Sequence, residues 1–330
     1  MRAAWCLADR KLKPFFSKYS RHDFTLPQLF ACLVVRELFH LSYRRLEAFL
    51  RDAPDWMADL GLKQSPDHNT LCRAARRLLQ DSTVRRLLDE QVDWAVTARM
   101  LGIPSKPVAL DSSMYESRHV SRHYEHRKAR SDRKRKTPGK SERKRTVKSL
   151  PKLAVAVDCR SHLVLSSWTG TGLGSDSPHF EKLLFQAWRR VPNRSFVVVA
   201  DGGCDAEHNH ELARHGMGLR SIIPATIGRT PGNADRIRRP WRRRMHKLLA
   251  TKRSRRPCGY TQRWQVETTN SMMKRTLGSA LRGRIAQSRK RDLKLKVLTH
   301  NLMILRRKSG VETEQDSHLF IFSFLHNLQS

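Results

Sequence analysis

Phe196-Val197-Val198-Val199-Ala200-Asp201-Gly202-Gly203 is an apolar run closed by a carboxylate and two glycines. It is strand-length, and its lack of polar alternation means that both faces are covered. Such a strand belongs in a sheet with helices packed on it, which sets the fold class as α/β. The neighbouring segments agree. Pro107-Val108-Ala109-Leu110-Asp111-Ser112-Ser113 is a second short apolar run, again carrying an acid at its end. Residues 153–157 and 163–168, split by Asp158-Cys159-Arg160-Ser161-His162, read as a hairpin, and Ser221-Ile222-Ile223 as a further strand. One helix is expected from Asp176 or Ser177 to Trp188, another from Ala206 to His215. The series makes a mixed sheet flanked by helices, in which sites gather at strand ends.

Asp111 and Asp201 hold such positions. Taken singly, each also reads as an ordinary turn residue. Asp158 fits a hairpin turn, Asp176 and Asp205 fit helix starts, and Glu207, His208 and His210 fit a solvated helix. A third acid comes from further along, in Gly259-Tyr260-Thr261-Gln262-Arg263-Trp264-Gln265-Val266-Glu267-Thr268-Thr269-Asn270-Ser271-Met272-Met273-Lys274. On one continuous helix Tyr260, Arg263 and Lys274 lie within roughly 40° of Glu267, while Val266, Met273 and Leu277 point elsewhere to pack. The Arg263–Glu267 spacing by itself is common on solvated helices. Acids at two buried strand ends and on a later helix can converge as an oxygen-ligand site for Mg²⁺ or Mn²⁺.

Outward from this centre, residues 1–104 read as an N-terminal all-helical domain. Helices are expected over 25–41, capped by Thr25, over 42–51, capped by Ser42, and in a short stretch closed by Gly61. A turn at 65–69 precedes a helix that exposes Arg73, Arg76 and Arg77, and a connector helix follows over 82–100. The three arginines suit helix-turn-helix contact with DNA, or equally a structural bundle with a basic outer face. Residues 102–104 mark a boundary, after which residues 105–308 form the second domain. Its insert at 114–150 carries fourteen Lys or Arg against four acids, including Arg133, Arg135, Arg143 and Arg145, and is too charged to form a core. His119, His123 and His126 within it have helical spacing but no cysteine nearby to favour zinc. A second basic stretch, 226–258, includes Trp241, either an anchor or a stacking platform. An amphipathic helix over 293–305 is expected to pack back on the sheet. The tail, 309–330, has no functional reading.

With 65 Lys+Arg against 30 Asp+Glu, the formal charge is +35. That excess calls for a polyanionic partner, and double-stranded DNA is the first choice because released phosphate counterions supply affinity independent of sequence. No apolar run approaches the roughly 18 residues of a spanning helix, so a membrane is not expected as partner. The six cysteines are scattered and read as reduced thiols, in keeping with a cytoplasmic, nucleoid-associated protein.

Tyr260-x2-Arg263-x3-Glu267-x6-Lys274 resembles the Y-R-E-K signature of bacterial and archaeal insertion-sequence DDE transposases. The likeness extends to Ala109-Leu110-Asp111-Ser112-Ser113, to Lys152-Leu153-Ala154-Val155-Ala156-Val157-Asp158, to Ala200-Asp201-Gly202-Gly203-Cys204-Asp205, to Ile222-Ile223-Pro224-Ala225 and to Val297-Leu298-Thr299-His300-Asn301. It spans residues 25–308 and implies an RNase H-like catalytic domain. It also implies that Asp111, Asp201 and Glu267 are the catalytic, metal-binding acids, holding two Mg²⁺ (or Mn²⁺) ions per site. Tyr260, Arg263 and Lys274 would hold DNA phosphates, a homodimer would grip two DNA ends, and the reaction would be strand cleavage and strand transfer. An RNase H-like nuclease without joining activity and a catalytically inactive DNA-binding relic are the alternatives.

Overall fold

The computed structural model describes residues 1–101, 107–117, 150–172, 174–191, 195–226 and 237–308. Residues 102–104, the histidines 119, 123 and 126, the insert arginines Arg133, Arg135, Arg143 and Arg145, and the tail lie outside the described residues.

The front end is helical: α1 (Arg2–Lys11), α2 (Leu26–Leu38), α3 (Tyr43–Arg51), α4 (Pro54–Asp59), α5 (His68–Leu78) and α6 (Asp81–Thr97). Local chemistry sets the starts. Thr25 and Gln28 form a reciprocal capping box, Ser42 caps α3, and Asp67 accepts from the Asn69 and Thr70 amides to cap α5. Gln28 also donates to the Leu60 and Gly61 carbonyls, tying α2 to the turn after α4. Gly61 has φ 62°, the left-handed value that a helix-closing glycine supplies. Helix α1 has no side-chain cap at its N-terminus; its Ala4, Leu7 and Ala8 lie on one face and bury it.

The main sheet has five strands, β1 (Val108–Met114), β3 (Pro151–Asp158), β4 (Val164–Thr171), β5 (Val197–Ala200) and β6 (Arg220–Ile222), in the order β4-β3-β1-β5-β6. Strand β3 runs antiparallel to both β1 and β4, and β5 runs parallel to β1 and β6. With helices on both faces this is an RNase H-like mixed sheet. A two-residue pair, β2 (Glu116–Ser117) with β7 (Ala280–Leu281), stands apart from it. Alternate strand residues enter different cores, as a two-residue period requires. Val108, Leu110, Ala154 and Ala156 pack with Phe180 and Leu184 of α7 (Ser177–Arg190), while Ala109 and Val155 pack with Val266 of α11 (Trp264–Leu277). Three further helices are α8 (Glu207–Glu211), α9 (Pro240–Leu248) and the single turn α10 (Lys252–Arg255).

The last helix, α12 (Ala286–Lys308), departs from the amphipathic expectation. Leu293, Lys296, Val297, His300, Asn301 and Leu302 are all buried, because α12 is packed between the sheet and helices α2 and α6. Its polar residues are paired inside: Lys296 with Glu37 at 2.6 Å, and Asn301 through both side-chain ends with the Val164 backbone. His300 donates to the His162 carbonyl, and burial pushes its pKa down to about 4, so it is neutral. One hydrophobic core therefore runs from Leu7 through α12 to the sheet. Among the described residues no helix is long and apolar enough to cross a membrane, and the six cysteines are free.

Candidate metal centre

Strands β1 and β5 are parallel neighbours with Leu110 opposite Ala200, so Asp111 and Asp201 stand side by side. Asp201 directly follows β5, as expected, but Asp111 is not at a strand end: β1 continues to Met114 because its pairing with β3 outlasts its pairing with β5. The chain turns sharply after Asp201, whose Oδ1 accepts from the Gly203 amide at 2.8 Å. A Cβ at Gly203 would come within 2.9 Å of that oxygen, so the carboxylate keeps this position only beside a residue with no side chain.

A third acid joins them. Asp111, Asp176 and Asp201 each place a carboxylate oxygen within 4.8 Å of the other two. Asp176 does stand at the start of α7, as its sequence position suggests, but its side chain makes no capping bond. Its Oδ2 accepts from Ser112 Oγ at 2.8 Å and its Oδ1 pairs with Lys152 Nζ at 2.6 Å. The Lys152 ammonium, 4 % exposed, also donates to the Gly174 carbonyl. A lysine opening the apolar strand Lys152-Leu153-Ala154-Val155 was the available signal, since a buried ammonium demands a carboxylate partner.

Burial pushes the Asp111 carboxyl up to about 6; the Ser112 amide and Arg263 oppose this, and Asp201 and Asp176 add to it. Burial, and then the charges of the same three acids, push the Cys204 thiol up as well. The donor set is anionic and all oxygen, which fits a hard divalent cation.

Glu267 is not part of that cluster. It sits in the first turn of α11, 53 % exposed, with Oε1 2.5 Å from Arg263 Nη2. It does line the same groove as Asp111, an opening of about 510 Å³ shared with Ser112, Asn270, Ser271 and Lys274. Tyr260 and Arg263 are not on the α-helix, contrary to expectation. Gly259, with φ 84°, starts a 3₁₀ turn over Tyr260–Arg263, and α-helical geometry begins only at Trp264. The Tyr260 phenol still bonds to Arg263, and burial pushes its pKa up. Lys274 lies 5.3 Å from the ring centre of the buried Tyr115. Val266, Met273 and Leu277 are buried, as the helical spacing requires.

Residues 104–302 match the family described as Transposase DDE domain. The chain belongs to the DDE transposase family. Residues 4–77 match a second family, Transposase domain (DUF772), and together the two matches mark an insertion-sequence transposase. A solved structure titled as the piggyBac transposase synaptic complex with hairpin DNA aligns over 92 % of this chain and 70 % of that one, at 11 % identity and a TM-score of 0.45. No curated protein matches the chain.

The remaining polar residues of the transposase fall into supporting roles. Asp158 closes the β3–β4 turn, accepting from the Arg160 and Ser161 amides and from Ser161 Oγ. Asp205 is held by Arg242 through two bonds of 2.8 and 2.7 Å. Glu207 accepts from the Trp241 and Arg242 amides and so caps α9, and Trp241 stacks 4.2 Å from the Arg214 guanidinium, as an anchor would. Helix α8 is not solvated throughout: Asn209 and His210 are fully buried, with His210 Nδ1 2.8 Å from Ser221 Oγ. Strand β6 thus partners His210, while Asn209 donates to Ser177 Oγ and the Cys204 carbonyl, contacts that helical spacing alone does not reveal. Arg73, Arg76 and Arg77 are exposed on α5, are not among the residues lining the groove, and Arg77 stacks on the Phe16 ring at 4.4 Å.

Proposed function

We propose that this transposase cuts double-stranded DNA at the ends of an insertion sequence and joins the freed ends to a target, in a reaction that requires divalent ions. The observation that carries the reading is the meeting of Asp111, on β1, and Asp201, directly after the parallel neighbour β5, with Asp111 on a groove that Glu267 also lines. These acids would hold Mg²⁺ or Mn²⁺, two ions per site. Bound ions of that kind activate an attacking water or 3′-OH and stabilise charge on the leaving oxygen.

The chain's own part is to fix the acids and grip the DNA. The β1–β3 ladder holds Asp111, the end of β5 holds Asp201, and the Gly202-Gly203 turn fixes the second carboxylate beside the first. Arg263, Tyr260 and Lys274 lie along the Glu267 side and suit DNA phosphates, and Arg263 already grips an oxyanion in its Glu267 pair. The charge of +35 supplies grip independent of sequence. In this reading residues 1–104 recognise element ends through Arg73, Arg76 and Arg77, the insert arginines Arg133, Arg135, Arg143 and Arg145 add DNA contacts, residues 105–308 carry out the chemistry, and a homodimer brings two ends together at the nucleoid.

Asp111→Asn, Asp201→Asn and Glu267→Gln are each expected to abolish nicking of element-end DNA on a gel while leaving DNA binding largely intact. Nicking at the unaltered rate by any of the three refutes the assignment of that acid. Joined products separate a transposase from a nuclease that only cuts. Binding without ion-dependent cleavage by the unaltered chain identifies a catalytically silent copy.

A further inference from the structure

The acids that meet in this structure are not the three that the sequence singles out. Asp176 joins Asp111 and Asp201, whereas Glu267 is half-exposed and engaged with Arg263. Asp176 is also the most firmly held of the acids in question. Its two oxygens are taken by different strands: Ser112, the residue directly after Asp111 on β1, and Lys152 on β3. A buried ammonium is tolerated only when a carboxylate faces it, so Lys152 holds Asp176 in one place. Three carboxylates and one ammonium sum to a charge of −2, which a single divalent cation neutralises. Adding Glu267 to the cluster would require its release from Arg263.

We infer that Asp176, positioned by Lys152 and Ser112, is an ion-binding carboxylate of this centre, and that the DNA-free protein takes its first divalent ion on Asp111, Asp176 and Asp201 without Glu267. The inference rests on the ion-dependent reading above. It divides the acids into a preformed set, held by the sheet and the start of α7, and one on α11 that is engaged elsewhere until phosphates compete for Arg263.

The test is Mn²⁺ binding to the DNA-free protein, followed by the electron paramagnetic resonance signal of unbound Mn²⁺. Asp176→Asn is expected to weaken binding by about 10-fold or more, the scale on which loss of a metal-site carboxylate or its support acts, and Glu267→Gln to leave it unchanged within about twofold. Because Asp176→Asn leaves Lys152 without its partner, the double variant Lys152→Gln/Asp176→Asn, which strands no buried charge, is measured beside it. Far-UV circular dichroism and a cooperative melt without metal establish that each is folded. Equal weakening in the single and double variants supports the inference. Unaltered Mn²⁺ affinity in the folded double variant overturns it, as does a loss in Glu267→Gln as large as in Asp111→Asn. If Asp111→Asn and Asp201→Asn both bind Mn²⁺ as the unaltered chain does, the ion-binding reading of the centre fails and the inference falls with it.

Discussion

In ion-free buffer, Asp111→Asn is expected to stabilise the fold, although it removes a side chain on which the proposed reaction depends. The Asp111 carboxyl titrates near 6 in the fold against 3.8 in an ordinary setting, because burial disfavours its charged form. Between those values the folded state binds more protons than the unfolded chain, so this group's contribution to stability falls as pH rises and is fully lost above the folded value. The interval corresponds to about 3 kcal/mol at most, and partial solvent access from the groove brings the expectation to about 1–3 kcal/mol. Asparagine keeps the shape and discards the charge. Thermal unfolding in EDTA should show little difference between variant and parent at about pH 4 and a clear gain for the variant at about pH 7.5, on the order of 2–4 °C per kcal/mol for a chain of this size. Mn²⁺ at about 1,000 times its dissociation constant should reverse the order, since it stabilises the parent by about 4.1 kcal/mol and finds its site damaged in the variant. If Asp111→Asn is no more stable than the parent at the higher pH in EDTA, the carboxylate is not held against its own charge, and the electrostatic account of the centre is wrong.

Two other perturbations probe the scaffold and the front end. Asn301→Ala removes a fully buried amide that bonds both the N–H and the C=O of Val164, next to the irregular pairing of β3 with β4. Leaving both backbone groups unsatisfied should cost about 2–4 kcal/mol in a urea titration, and an unmoved midpoint would show that other groups take over these bonds. Replacing Arg73, Arg76 and Arg77 together by alanine should leave stability unchanged, since all three are exposed on α5. If each neutralises one phosphate, the slope of log affinity against log salt for element-end DNA should flatten by about 2.7, and an unchanged slope would remove these residues from the DNA-binding surface.

Most elements were legible because the signals that define them are short-range. The Thr25, Ser42 and Asp67 caps, the apolar runs of β1, β3 and β5 and the Asp158 turn each depend on a few adjacent residues. Local reading fell short where an element's surroundings come from distant chain. Helix α12 looks one-sided because Lys296, His300 and Asn301 are polar, yet each finds a buried partner supplied by α2 or the β3–β4 hairpin. The run from Tyr260 to Lys274 suits a single helix by spacing, and the left-handed Gly259 changes the geometry of its first turn. Asp176 passes for a helix-start residue until the Lys152 strand is laid beside it.

The sequence by itself determined the α/β class, the apolar strands that lead into Asp111 and Asp201, and a charge suited to a polyanion, because period, run length and composition belong to the chain before it folds. Tertiary structure alone decided which acids share a cluster. Carboxylates are driven apart by their mutual repulsion and by loss of water, so each is placed by the partners that compensate it. Lys152 and Ser112 hold Asp176 with Asp111 and Asp201, whereas Arg263 engages Glu267 in the groove outside.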